Sequence, residues 1–279
     1  MLQEERLFRA VVDALTQDRL TLPTLPEVAM RVSQATQDDR VTASRLAAEI
    51  GRDPAIAVRV LRVANSSALN AGRRIDNLQQ AITRMGMGLV RSLVTGVALE
   101  QLFFSRSPTL KARLRQTWAQ SLEVAALSQV LASHCTVLRP ELAMLAGLTH
   151  EIGSLPVIRL AENLGEDLPD AAALDRVIRN LQPRVGRLVL QAWDFPEELV
   201  EVPSRWIDFS RSHDGPPDFV DVVTVAALQS HQHREGRLAG IDRQRVPAFR
   251  KLDINPEVDV FELEGLQQEY QESYAALTA

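Results

Sequence analysis

Apolar residues recur three and four positions apart along almost the whole chain, which is the period of an amphipathic α-helix. Alternating runs of the kind that form strands are weak, and aromatic residues make up only 5% of the sequence. The pattern therefore predicts an all-α protein. The predicted helices cover residues 3–17, 26–36, 43–50, 54–65, 111–134, 140–153, 155–164, 171–181, 183–194 and 217–234, with one more beginning after residue 76.

Capping residues mark several of the predicted helix starts. Thr42 and Asp53 each precede a helix, where a side-chain oxygen can accept hydrogen bonds from the free backbone N–H groups. Pro26 and Pro54 suit the first helical position, because the missing N–H would have no partner there. Asp76 is expected to cap the next helix in the same way as Asp53.

Charge is divided unevenly along the chain. The net charge is −5, from 31 Lys and Arg against 36 Asp and Glu. Residues 253–279 contain seven carboxylates and neither Lys nor Arg, so the rest of the chain carries a net charge of +2. This balance argues against nucleic-acid binding by the molecule as a whole.

The sequence is expected to belong to a cytoplasmic protein that does not bind a membrane. Cys135 is the only cysteine, so an intrachain disulfide cannot form. Residues 1–15 mix charges of both signs and do not have the pattern of a signal peptide. The longest apolar-rich stretch, residues 89–104, is interrupted by Arg91 and Glu100 and is too short to span a bilayer.

The acidic tail has an apolar face of its own. Leucine and tyrosine residues follow one another at spacings of 3, 4, 4 and 3, which places them on one side of a helix with acidic residues on the other. This face either docks on the body of the same chain, or binds a partner protein or covers a binding groove. The residues of the face are Leu263, Leu266, Tyr270, Tyr274 and Leu277.

Residues 46–62 have the helix, glycine turn and helix of a DNA-binding helix-turn-helix. A helix that reads DNA must offer polar side chains to the base edges. Between residues 54 and 64, only Arg59 and Arg62 are polar. A helix that is apolar nearly all round is typical of a buried element, so the pattern favours a structural role.

His150 and Glu151 form the second candidate site, because a histidine beside a carboxylate at a helix end resembles a metal-binding pair. A catalytic divalent metal needs further ligands from other helices. No second pair converges with this one: two of the other histidines, at positions 231 and 233, point about 200° apart on a helix. The alternative interpretation is a histidine that makes local hydrogen bonds at the end of its helix.

Other chemistry has little support in the sequence. Cys135 directly follows His134, but adjacent helical side chains diverge, and no partner that would activate the thiol is apparent. Gly86 and Gly88 lack the preceding strand and the later glycine of a phosphate-binding loop. Neither nucleophilic catalysis nor a phosphate cradle is therefore predicted.

Short segments in a fixed order resemble the HDOD domain, a catalytically degenerate relative of the HD phosphohydrolases. They are LPTLPEV at 22–28, IGRDPA at 50–55, LRVANS at 61–66, AITRMG at 81–86, RSLV at 91–94, WAQS at 118–121, LAGLTHEIG at 145–153, VG at 185–186 and WDFPEEL at 193–199. Each segment is weak alone, and the ordered set is specific. The framework positions within it are Pro26, Asp53, Pro54, Asn65, Ser66, Gly86, Trp118, Gly153, Trp193 and Pro196.

The resemblance implies an all-α fold in two lobes. Independently, the segment SRSP at residues 105–108 interrupts two helical blocks and predicts a seam near residues 106–109. Residues 1–21 would form an N-terminal helix, 22–108 the N-terminal helical lobe, 109–252 an HD-like helical lobe, and 253–279 an acidic amphipathic C-terminal helix. It also implies a bacterial signalling or regulatory role, exercised through protein contacts rather than through catalysis.

The departures from active HD enzymes concern the metal ligands. Gln120 stands where the resemblance places an early ligand histidine, and Glu151 replaces the Asp of the His-Asp pair. Residues 206–207 stand where paired histidines often occur, and residues 226–228 contain no late carboxylate. Only the vestigial pair His150 and Glu151 remains, so we expect no enzyme activity, no bound metal and no cofactor.

Two alternative functions stay open beside a regulatory role. One is a residual metal-dependent phosphohydrolase that uses His150 and Glu151, and the other is a DNA-binding regulator that uses residues 46–62. An HD-like lobe could also keep a groove for a nucleotide, although no phosphate-binding motif supports this. The expected partners are other signalling proteins; the sequence identifies neither them, nor the pathway, nor the oligomeric state.

Overall fold

The computed structural model describes residues 2–17, 19–38, 40–66, 69, 74–105, 107–163, 169–230, 238–262 and 265–278. All regular secondary structure in these ranges is helical, and none of these residues forms a strand. The all-α prediction is therefore confirmed.

The helices follow one another along the chain with short connections. They are α1 (Leu2–Thr16), α2 (Glu27–Gln37), α3 (Ala43–Ile50), α4 (Pro54–Ala64), α5 (Leu78–Met85), α6 (Met87–Glu100), α7 (Pro108–Cys135), α8 (Pro140–Thr149), α9 (Ser154–Glu162), α10 (Ala171–Ala192), α11 (Glu197–Val200), α12 (Val202–Arg205), α13 (Phe219–Gln229), α14 (Pro247–Lys251) and α15 (Leu266–Thr278), with 3₁₀ turns at Arg243–Arg245 and Val260–Glu262.

Capping explains most of the observed helix starts. Thr42 accepts a hydrogen bond from Arg45 N at 3.2 Å, and Asp53 accepts from the N–H groups at the start of α4, as predicted. The predicted cap at Asp76 is wrong. Its neighbour Asn77 caps α5 by accepting from Gln80 N at 2.9 Å, because the helix begins one residue later than expected.

The predicted break between residues 181 and 183 is also wrong, since α10 continues through Pro183. An internal proline costs a helix about 3 kcal/mol, because it removes one hydrogen bond and crowds the preceding turn. Burial of apolar side chains both before and after the proline offsets that cost: Leu174, Val177, Ile178, Leu181, Val185 and Val189 are all buried on this helix.

Two of the predicted helices extend beyond the observed C-terminal ends. The helix predicted over 140–153 ends at Thr149, and turns cover residues 150–153. The helix predicted over 217–234 is observed as Phe219–Gln229, and residues 231–237 lie outside the described part of the chain.

The buried apolar side chains form two clusters. The first joins α1–α6 to α9, α10 and the N-terminal part of α7, and the second joins α8 and the C-terminal part of α7 to α11–α14. Helices α7 and α8 contribute to both, with Leu122 and Met144 in the first cluster and Leu127 and Leu145 in the second. These two helices hold the clusters together. The predicted lobe boundary at residues 108 and 109 stays a prediction.

Helices α7 and α8 cross at very close range. A Cβ atom added to Gly147 would lie 2.6 Å from Ala125 Cα and 2.9 Å from Val124 O, so only glycine fits at this crossing. The close approach fixes where the end of α8, with His150 and Glu151, lies against α7.

No single described helix is both long and apolar enough to cross a membrane. Helices α5 and α6 meet that test only when joined, and they are bent by 113° relative to each other.

Candidate functional site

His150 lies at the C-terminal end of α8 and is fully buried. Its Nδ1 lies 2.6 Å from Gly147 O, and because a carbonyl oxygen only accepts, Nδ1 carries the proton and donates. The edge of Trp206 meets the imidazole ring, with the centroids 4.9 Å apart at 78°. Position 206, where the resemblance would allow a histidine, thus provides a large apolar neighbour to the His150 ring.

The other positions of the vestigial site are also buried. Glu151 is 3% exposed, and its backbone carbonyl accepts from Ser154 Oγ at 2.7 Å. Gln120 is 8% exposed on α7. The segment 226–228, where a late carboxylate would stand, is buried and apolar within α13.

These residues do not fit an HD-type divalent metal. Such a metal takes several imidazole and carboxylate ligands that converge on one point. Here the matching positions supply only one imidazole, one carboxylate and one neutral amide, from His150, Glu151 and Gln120.

The helix-turn-helix candidate contributes to the first hydrophobic cluster. Ile56, Val60 and Val63 on α4 are buried, as the apolar pattern predicted. Arg59 Nη1 lies 2.6 Å from Glu100 Oε2, and its Nη2 donates to Leu277 O at 3.2 Å. One of the two arginines that could have read DNA is therefore engaged within the chain itself.

Several framework positions have clear structural roles. Asn65 Nδ2 donates to Leu61 O and to Ile75 O, and Asn65 Oδ1 accepts from Ile75 N, each at 2.8 Å. Trp193 Nε1 donates to Pro23 O at 2.8 Å, which ties the end of α10 to the segment before α2. Ile75 and Pro23 lie outside the helices, so these side chains satisfy backbone groups of the connecting loops.

Other framework positions act through shape and backbone conformation. Trp118 packs against Phe103 with ring centroids 4.9 Å apart. Gly86 has a φ of +79° at the bend between α5 and α6, where a residue with Cβ would be strained. Pro54 is the first residue of α4, as predicted, whereas Pro26 is the N-cap of α2 and not its first residue, because that helix begins at Glu27. Pro196 is the N-cap of α11, and Ser66 lines a cavity described below.

An ion-pair cluster at the start of α13 was not predicted. Asp218 and Asp221 form a capping box on this helix, and Arg211 bridges both carboxylates, with Nη1 2.9 Å from Asp221 Oδ1. His213 Nε2 lies 2.9 Å from Asp221 Oδ2, and Lys251 Nζ lies 3.1 Å from His213 Nδ1. The spacing of Asp218 and Asp221 after two prolines was the available sequence signal.

In this cluster His213 bridges Lys251 and Asp221. A lysine ammonium only donates, so Nδ1 accepts from Lys251, and Nε2–H donates to the nearly buried Asp221 carboxylate. One nitrogen or oxygen atom from each of His213, Asp218 and Asp221 could ligate a metal, and these atoms lie within 4.8 Å of one another. Arg211 and Lys251 already supply the positive charge that a metal ion would bring. The cluster therefore connects loop 208–218 to α13 and α14 through ion pairs and hydrogen bonds.

The single cysteine is not an activated nucleophile. Burial raises the pKa of the Cys135 thiol, and the nearby negative charge of Asp253 raises it further. Its neighbour His134 is half-exposed and lies 2.8 Å, through Nε2, from Glu269 Oε2 on α15.

Helix α15 docks on the body of its own chain. Leu266 packs against the second hydrophobic cluster, Tyr274 against the first, and Tyr270 against both. Leu277 is buried, and burial raises the pKa of the Tyr270 hydroxyl. Four of the five residues of the predicted apolar face thus make contacts in cis; Leu263 lies outside the described residues.

A cavity of about 170 Å³ lies between α15 and the body. Its floor is apolar and comes from α4, α6, α7 and α8. Its walls include hydroxyl and carboxylate groups from α15 and α7. The lining includes Val63, Ser66, Leu93, Val130, Met144 and Ser273.

Taken together, these observations define an all-α protein in which Gln120, His150, Glu151 and Trp206 are all buried. Comparison with known proteins gives the family. The HDOD domain model matches residues 22–205, and the chain belongs to the HDOD domain family.

Solved structures share the fold. A crystal structure of a candidate metal-dependent phosphohydrolase from Shewanella amazonensis SB2B is 32% identical, with a TM-score of 0.86 over 99% of this chain and 100% of the other. An HDOD domain protein of unknown function from Geobacter sulfurreducens is 22% identical, with a TM-score of 0.70 over 98% and 96% of the two chains.

A curated relative from Treponema pallidum is named only as an uncharacterized protein. It is 20% identical over 207 residues, which are 71% of this chain and 39% of the relative. The chain thus spans well under half of that relative's length.

Proposed function

We propose that this HDOD protein is a non-catalytic regulatory module that acts through contacts with other proteins. The observation that carries the proposal is the incomplete ligand set around His150. The matching positions hold the neutral amide of Gln120, the indole of Trp206 and the apolar segment 226–228 in place of further imidazole or carboxylate ligands. A metal-dependent hydrolase would need the His150 imidazole, and further ligands around it, to face a metal and a substrate.

The comparisons support a regulatory role at the level of the family and the fold. A structure from Marinobacter aquaeolei VT8, described as a candidate signal transduction protein, is 20% identical with a TM-score of 0.63, covering 99% of this chain and 66% of that one. The names of two Shewanella amazonensis structures instead favour the alternative, a metal-dependent phosphohydrolase that uses His150 and Glu151.

Metal content and hydrolysis of the purified full chain test the two functions. The protein is incubated with Mn²⁺, Mg²⁺ or Ni²⁺ and assayed on bis(p-nitrophenyl) phosphate and on a cyclic dinucleotide. We expect no hydrolysis above the rate without protein, and less than one equivalent of divalent metal by elemental analysis, because the ligand set is incomplete.

A pair of variants makes the test specific. Metal-dependent turnover that is lost in a folded His150→Asn variant and kept in Val137→Asn would overturn the proposal, since Val137 is 96% exposed and lies outside the vestigial site.

A further inference from the structure

The surface beneath α15, which we call the helix bed, offers polar partners along the length of the docked helix. His134 Nε2 meets Glu269 Oε2 at 2.8 Å near the start of the helix, and Ser273 Oγ donates to Gln129 Oε1 at 2.6 Å in the middle. At its end, Arg59 donates to Leu277 O. The bed therefore recognises a helix by side chains and by a carbonyl at its C-terminal end.

Between these partners the helix bed is apolar. Leu93, Val130 and Met144 are at most 3% exposed, and they line the cavity under α15. Leu277 of the helix comes within about 4 Å of the position where Gly96 would carry a Cβ atom. Removal of α15 would expose this floor as an apolar groove, which is the kind of surface that binds an amphipathic helix.

The contacts of α15 make it a replaceable occupant of the bed. Leu277 is the only fully buried side chain described on this helix, and the His134–Glu269 pair is about half exposed on both sides. The cavity shows that α15 leaves part of the groove unfilled. A 13-residue helix is also marginal in water by itself, so release is coupled to unwinding of the segment.

We infer that the helix bed is a docking groove in which α15 competes with an acidic amphipathic helix of a partner protein. The expected partner helix places Leu and Tyr side chains on one face and a carboxylate opposite His134, because α15 shows that this chemistry fits. The inference rests on the proposed function and adds the surface and the kind of partner through which it works.

A labelled peptide of residues 265–279 serves as the probe, measured by fluorescence anisotropy on the full chain. Leu277→Asp should release α15 and expose the bed. The peptide should therefore bind this variant at least about tenfold more tightly than wild type, because α15 occupies the bed in most wild-type molecules. Ala275→Asp is the matched control: it adds the same charge on the exposed face of α15 and should behave as wild type.

Peptide variants test the recognition itself without any risk to the protein fold. A peptide carrying Leu277→Asp should fail to bind the Leu277→Asp protein. A peptide carrying Glu269→Gln should bind that protein more weakly than the unmodified peptide, because it loses the charge opposite His134. A folded Leu277→Asp protein that binds the peptide no better than Ala275→Asp would overturn the inference.

Hydrogen exchange on the wild-type chain gives a second test. Excess unlabelled peptide should speed exchange of residues 266–278 by displacing them, and unchanged exchange would count against the groove. A concentration-dependent wild-type dimer that Leu277→Asp abolishes would assign the bed to a second copy and overturn the partner assignment. Neither result bears on hydrolysis, so failure here and failure of the non-catalytic function remain distinguishable.

Discussion

At the residue scale, the framework glycine at position 153 is explained by space. A Cβ atom there would lie 2.2 Å from Gln182 O and 2.3 Å from Gly186 N, both backbone atoms of α10. Gly186 in turn lies against Pro203, with 2.6 Å from an added Cβ to the proline ring. The turn after His150 therefore approaches α10 at backbone distance, which only glycine permits, and the ring of Pro203 on α12 fills the space beside Gly186.

We expect Gly153→Ala to lower the free energy of unfolding by about 3 kcal/mol, because backbone atoms cannot move aside as a flexible side chain can. Urea denaturation followed by circular dichroism measures this. Gly240→Ala is the control, since nothing lies within 4 Å of an added Cβ there, and its effect should stay within about 0.5 kcal/mol. Equal stability of the two variants would contradict the packing argument.

At the scale of elements, the connection between α6 and α7 is tied to α9 through one carboxylate. Ser105 Oγ donates to Glu162 Oε1 at 2.6 Å, and Arg159 lies 3.3 Å from the other oxygen. The Ser105 hydrogen bond is the main reason that the pKa of Glu162 lies below its ordinary value of 4.5. The ionised form of Glu162 is therefore the one that stabilises the fold.

Glu162→Gln should consequently destabilise the protein in a pH-dependent way. A carboxyl with a lowered folded-state pKa contributes stability above pH 4.5, which is lost as the pH falls through the folded-state value. We expect a penalty of about 0.5–1 kcal/mol near pH 7 that shrinks below pH 4.5, measured by denaturation across this range. A penalty independent of pH would show that the charge of Glu162 has no part in it.

At the scale of the whole molecule, the two hydrophobic clusters share α7 and α8. Because each of these helices buries residues in both clusters, neither cluster can unfold without disturbing the other. Helix α15 crosses from one cluster to the other and carries two of the seven carboxylates of residues 253–279, Glu269 and Glu272.

Calorimetry of Val60→Ala and Val223→Ala tests this coupling. Val60 is buried in the first cluster and Val223 in the second, and each truncation should remove roughly 1–3 kcal/mol. We expect both variants to lower the midpoint of one shared transition. Two transitions, each moved by one variant only, would instead show that the clusters unfold independently.

Local sequence signals determined the helical class and most helix positions, because the 3.6-residue period and residues such as Asp53 act within a few positions of one another. The HDOD segments likewise identified the family, which the match to residues 22–205 confirmed. Local rules failed at Asp76 and at Pro183. At Pro183 the continuous burial of α10 decided the outcome against proline's intrinsic preference.

Only the tertiary structure decided how the candidate residues are used. The contacts of Trp206 with His150 and of Arg59 with Leu277 O join residues far apart in sequence, in the second case by 218 positions. Arg211 bridges two aspartates across a loop. The pattern of apolar residues in α15 also could not predict whether this helix docks on its own chain. Periodicity states which face of a helix is apolar, and long-range packing selects the surface that covers it.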